Sequence, residues 1–293
     1  ESLNPQDSTF TSWIMSHPEF GSLFHDLESK GLEGLSVLSE IESPQATIGD
    51  SNSEALTKEP AAELDVKRVV AGREGSVLAP MTILKFDHFF GCQKQSLPER
   101  IDGAPNFRRI PLIDGKFVCG LAMPTKEAIG RVLERIECVQ EGQRRCLWIS
   151  MREEPVIFAN GQPYVLRIVK DPITNLEMTG IVSERVELME ERLKKEALLE
   201  SSLYHNRLLL HEEEASHTAP QGFEIIPEWE LVEELESPAE VYQHLIQSGN
   251  YPLTYYRVPV TDEQAPIPNV FDELIRLISQ ADYTDFVFNC QMG

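Results

Sequence analysis

Apolar positions recur along this chain with two spacings. From Val66 onward, short alternating or continuous apolar blocks take turns with stretches where apolar residues return every three or four positions, the signatures of strand and helix. Lys67 to Leu78, Ile83 to Phe86, Cys146 to Met151, Arg207 to His211, Trp229 to Val232, Tyr251 to Val260 and Asp285 to Asn289 read as strands. Helical spacing marks Thr125 to Glu137, where Ala128, Val132, Leu133 and Ile136 share a face behind a Thr cap. It also marks Ser183 to Ser202, with Val186, Met189, Leu193 and Ala197 inward. Ser237-Pro238 starts a helix that Gly249 stops, and Pro268 to Gln280 is amphipathic. Asn160-Gly161, between Val156-Ile157-Phe158 and Tyr164-Val165-Leu166, predicts a tight hairpin because both turn residues must take positive φ. Helix, strand, helix, strand towards the C-terminus predicts an α/β fold with a mainly parallel central sheet flanked by helices.

The beginning of the chain differs. Phe10, Trp13, Ile14, Phe20, Leu23, Phe24 and Leu27 predict one or two short helices, and Glu42 to Asp65, rich in Ser, Pro, Glu and Ala, reads as a linker. The expected organisation is a helical tail and linker over 1–65 and one domain over 66–293. The missing initiator Met suggests a fragment or processed product.

Composition narrows the function. Hydrophobic residues make up 41% and charged residues 25%, as in globular domains, and no apolar run reaches the roughly 20 residues that span a bilayer. A net charge of −22 excludes a general nucleic-acid binder, although a local Arg cluster can still capture a small anion. The five Cys, at 92, 119, 138, 146 and 290, are scattered without a CxxC pair, which points away from zinc and disulfides and towards a reducing cytoplasm. The seven His lack metal-ligand spacing, and Gly72-Arg73-Glu74-Gly75 lacks the third glycine of a dinucleotide loop, so neither metal nor cofactor is expected.

The candidate chemistry sits at the last predicted strand. Cys290 follows it, with Gln291, Met292 and Gly293 behind. Ligands of open α/β sheets bind beyond the carboxyl ends of strands. A strand running through a loop into a helix N-terminus gathers unpaired N–H groups, which hold anions and favour a thiolate. Such a thiolate can attack phosphorus; read alone, the Cys can equally be a core thiol. Val258-Pro259-Val260-Thr261-Asp262-Glu263 offers a carboxylate that can serve as a general acid or simply cap the turn before Pro266.

Four motifs in order, over about residues 66 to 293, resemble the protein-tyrosine-phosphatase-like phytases and their paladin-type relatives. They are Gly103-Ala104-Pro105-Asn106-Phe107-Arg108-Arg109; Trp148 to Pro155 with Asn160-Gly161-Gln162-Pro163; Val258 to Pro266; and Thr284 to Gly293. The resemblance implies a protein-tyrosine-phosphatase-like fold and a phosphomonoesterase that forms a phosphocysteine on Cys290, with Asp262 as general acid and Glu263 as its substitute. It implies Arg108, Arg152, Gln291, Met292 and Gly293 at the substrate, and Glu153, Glu154 and Thr261 in support. Arg152 and Glu154 are alternatively a structural ion-pair network, and Arg109 a solvated side chain. Family likeness implies inositol polyphosphates as substrates, phosphopeptides behind them, and a neighbouring tandem domain. The family's loop carries an Arg six residues after the Cys, a position beyond Gly293, so the domain is expected to be cut within its phosphate loop. A pseudophosphatase that binds or scaffolds is the alternative.

Overall fold

The computed structural model describes residues 61–88, 93–94, 96–219, 222–262, 264–279 and 282–293. The predicted N-terminal helices, the linker up to residue 60, Cys92 and Glu263 lie outside the described residues.

Helix α1 (Ala61–Ala71) is the first element among the described residues. It corrects the strand expected from Lys67: Val66, Val69 and Val70 stand at helical spacing and pack with Ile83 and Leu209. It also corrects the last residues of the expected linker, which are helical. There follow β1 (Thr82–Phe86), β2 (Arg108–Pro111), β3 (Phe117–Leu121), α2 (Lys126–Arg135) and β4 (Cys146–Ser150). The Thr125 side chain accepts the Ala128 N–H and caps α2 as expected.

Strands β5 (Val156–Ala159) and β6 (Gln162–Ile168) form the predicted hairpin, with Asn160 at φ 49° and Gly161 at φ 78°. Then come α3 (Ser183–Leu203), β7 (Arg207–Ala215), β8 (Phe223–Leu231), β9 (Leu235–Glu236) and α4 (Pro238–Gln247). Ser237 and Glu240 make a reciprocal capping box, with Pro238 in the first turn of α4. The chain ends with β10 (Leu253–Arg257), α5 (Pro268–Ser279) and β11 (Asp285–Asn289).

The central sheet has the order β10-β4-β11-β3-β2, parallel except for β2 at its edge. This is the predicted mainly parallel sheet flanked by helices. Period-two alternation buries both faces. Cys146, Trp148 and Val287 pack with Ile129, Val132 and Leu133 of α2 and Val241 and Tyr242 of α4. Leu147, Ile149 and Phe286 pack with Leu274 and Leu277 of α5.

A second sheet, β8-β7-β1-β6-β5-β9, is antiparallel apart from the β1–β7 pair. Single-strand patterns could not assign the hairpins to a sheet of their own, because pairing between distant strands leaves no local signal. Its Leu84, Leu166, Leu208 and Leu210 pack with Leu193 and Ala197 of α3. On α3, Met189 is only half-buried and Glu190 points inward instead. Arg257 explains this: its Nη2 donates to Glu190 Oε1 at 2.5 Å.

Candidate active site

Leu121, Asn289, Ser150 and Arg257 stand in register at the carboxyl ends of the four parallel strands. Every segment following that row carries a predicted motif or contacts one. Asn289 is fixed by Trp148, whose Nε1 donates to its Oδ1 at 2.9 Å, and by the Met151 N–H, which donates to its carbonyl at 2.7 Å. Cys290 is therefore delivered from a rigid strand end.

Its side chain is half-buried, unlike the buried thiols of Cys119, Cys138 and Cys146. The Gly293 N–H donates to Cys290 Sγ at 3.1 Å, so the loop curls back over the sulfur. Gly293 has φ 86°, and a Cβ there would meet the Ala122 nitrogen at 2.5 Å, which leaves room only for glycine. Asn106 holds the loop from outside: its Nδ2 donates to the Met292 carbonyl at 2.7 Å. Asn106 is quoted within the motif but is given no role from sequence. Arg108 lies against Gly120 and donates to the Asn106 carbonyl at 3.1 Å. Arg109 is not simply solvated. It pairs with buried Asp285 at 3.0 Å and stacks on Phe117.

Asp262 lies beyond β10. Its backbone N–H donates to Glu153 Oε1 at 3.3 Å, and its Oδ2 accepts from Asn175 Nδ2 at 2.5 Å. Asn175 also exchanges two hydrogen bonds with Gln291 and accepts from Arg167 at 2.6 Å. Ile173, Thr174, Asn175, Glu177, Asp262, Gln291 and Met292 line one cleft of about 340 Å³. A larger cleft, about 680 Å³, is lined by Gly103, His88, Arg100 and Arg131 among others and includes none of the predicted catalytic residues.

Arg152 and Glu154 form a buried ion-pair network. Arg152 Nη2 reaches Asp87 at 3.1 Å and Glu154 at 2.9 Å, and Glu154 holds Arg167 at 2.6 Å and the Leu176 N–H at 2.8 Å. Burial works to lower the Arg152 pKa, and Asp87, Glu154 and the nearby Cys290 sulfur outweigh it, so it ends raised. Burial pushes the Glu153 carboxyl up to about 7, against the donors of Asp262 and Thr261. Asp87, Arg167 and Asn175 had no sequence motif to mark them.

The family model for the PTP-like phytases, described as inositol hexakisphosphate, matches residues 149–293. Paladin from Gallus gallus is 30% identical over 193 residues, 64% of this chain and 20% of that protein. Paladin from Homo sapiens is 28% identical over 211 residues, 65% of this chain and 23% of that protein. The chain thus spans about a fifth of the length of these curated relatives. Among solved structures, the PTP-like myo-inositol phosphatase from Mitsuokella multacida in complex with myo-inositol-(1,3,4,5)-tetrakisphosphate has 17% identity and a TM-score of 0.46, over 71% of this chain and 34% of that one. A PTP-like phytase from Bdellovibrio bacteriovorus has 15% identity and a TM-score of 0.43, over 72% and 62%. The chain is similar to the PTP-like phytases over residues 149–293 and, with residues before that segment, to paladin.

Proposed function

We propose that this domain is a cysteine-dependent phosphomonoesterase acting on inositol polyphosphates, with its phosphate loop running on past Gly293. The observation that carries it is a single cleft lined by Asp262 and by Gln291 and Met292, the residues directly after Cys290. Cys290 Sγ attacks phosphorus as the ester P–O bond breaks, and Asp262 gives its proton to the leaving alkoxide. Water then attacks the phosphocysteine and yields its proton to Asp262. The S–P bond breaks and the thiolate returns. Gln291, Met292 and Gly293 supply loop contacts to the phosphoryl group. Glu153 and Thr261 steady the Asp262 segment, and Glu263 stands beside it in sequence. Arg152 contributes positive charge near the sulfur, and Arg108 acts by shaping the Asn106 turn.

The same reading makes 66–293 the phosphatase domain of a longer cytoplasmic protein with a neighbouring tandem domain, in keeping with a relative of which the matched stretch is 20%. The test is phosphate release from inositol hexakisphosphate by the parent protein. Cys290→Ser is expected to abolish it, and undiminished release would sink the mechanism.

A second reading has its own support. The described residues lining the cleft include Glu177 and Asp262 and neither Lys nor Arg, a poor reception for a polyanion. A pseudophosphatase that serves as a phosphate-binding or scaffold domain fits that charge. Arg at the sixth position after Cys290 in the parent favours the enzyme, and any other residue there favours the scaffold.

A further inference from the structure

We infer that Asn175 is a positioning residue that clamps Asp262 to the loop behind Cys290, an inference that rests on the phosphatase reading. Its side-chain amide has two donor and two acceptor places, and all four are filled. Nδ2 donates to Asp262 Oδ2 and to Gln291 Oε1, while Oδ1 accepts from Arg167 Nη2 and from Gln291 Nε2. The orientation of the amide is dictated by its partners, since a carboxylate only accepts and a guanidinium only donates. With no hydrogen-bonding place left over, Asn175 orients its neighbours rather than gripping a ligand.

The clamp is itself anchored. Arg167 is fully buried and held by Glu154, which also takes the Leu176 N–H next to Asn175. Glu154 reaches Arg152, and Arg152 reaches Asp87. A continuous run of charged contacts therefore leads from β1 to the carboxylate proposed as acid and to the loop of the nucleophile. Acid and nucleophile follow β10 and β11, which β4 separates in the sheet, and a displacement of about 1 Å between such groups can cost on the order of 100-fold in rate.

The experiment exploits the leaving group. An inositol alkoxide needs a proton as it departs, whereas p-nitrophenolate leaves readily without one. Asn175→Ala and the near-isosteric Asn175→Asp are compared on both esters in the parent protein. Asn175→Asp keeps an oxygen for Arg167 and turns an acceptor towards Asp262. The expected result is a fall in kcat of about 10-fold or more on the inositol ester and less than about threefold on p-nitrophenyl phosphate. Asn175→Asp combined with Asp262→Asn should lose no more than Asp262→Asn alone. Equal losses on both esters, additive losses, or a wild-type rate for Asn175→Asp overturn the inference. Wild-type protein that hydrolyses neither ester overturns the phosphatase reading instead. The clamp is then decided by the Asn175 and Gln291 side-chain amide signals in nuclear magnetic resonance: a shift of both on Asp262→Ala supports it, and unmoved signals overturn it.

Discussion

The two sheets are stabilised differently. The parallel sheet is apolar on both faces around Trp148, which is fully buried. The second sheet is apolar towards α3, but its opposite face sets Lys85 and Arg167 beside Ile83 and Leu209. Those cations pair with Glu213 and Glu154. The first sheet supplies rigid strand ends from which Cys290 and the Asp262 segment emerge. The second supplies directional contacts that hold those segments in place. Apolar packing has no preferred orientation, whereas a buried ion pair tolerates little displacement before it is uncompensated.

The largest expected effect breaks the charged region. Glu154→Ala leaves Arg152 and Arg167 short of a partner and is expected to cost about 3–5 kcal/mol in urea unfolding. It should also disturb the Asn175 and Gln291 amide signals. A loss no larger than that of a surface substitution would erase the contrast between the sheets.

Leu133→Ala, in the apolar region, is expected to cost about 3 kcal/mol. Iodoacetamide labelling of Cys290 should stay ahead of that of Cys119, whose thiol burial pushes up to about 12. If this substitution disturbed the site amides as Glu154→Ala does, the division of labour would fall.

A smaller effect appears in pH dependence. Folded Glu153 keeps its proton up to about 7, against an ordinary 4.5, so the native state binds more protons between those values. Stability therefore falls as pH rises from about 4.5 to 7 and stays lower above it, by on the order of 2 kcal/mol once solvent screening of the carboxyl is discounted. Glu153→Gln, uncharged throughout, should flatten that slope in denaturant melts, and an unchanged slope would show that Glu153 is not its source. The smallest effect is Ser237→Ala, which removes half of the α4 capping box and should cost about 1 kcal/mol by thermal melting, with the site signals unmoved.

Much of this was legible because it is local. The Asn160-Gly161 turn, the Thr125 and Ser237 caps and the apolar strand before Cys290 depend on neighbours within a few positions, and each formed as expected. Misjudging 67–71 as strand shows the limit, since a few Val residues suit either spacing until a partner face selects one. Asn175 was illegible. An Asn in a loop looks like turn chemistry, and its partners Asp262 and Gln291 lie 87 and 116 positions away.

By itself, then, the order of apolar and turn residues determined most strands but not β2, β3 or β9, together with most helices, the parallel sheet and the strand end that presents Cys290. Only the tertiary structure decided that Arg152 and Glu154 are buried ion partners, that Glu190 faces inward to Arg257, and that Asn175 joins Asp262 to Gln291 in the loop after Cys290. The physical reason is range. Periodicity and capping act within a turn or two of chain, whereas a buried charge or amide is defined by whichever distant group folding brings within 3 Å or so of it.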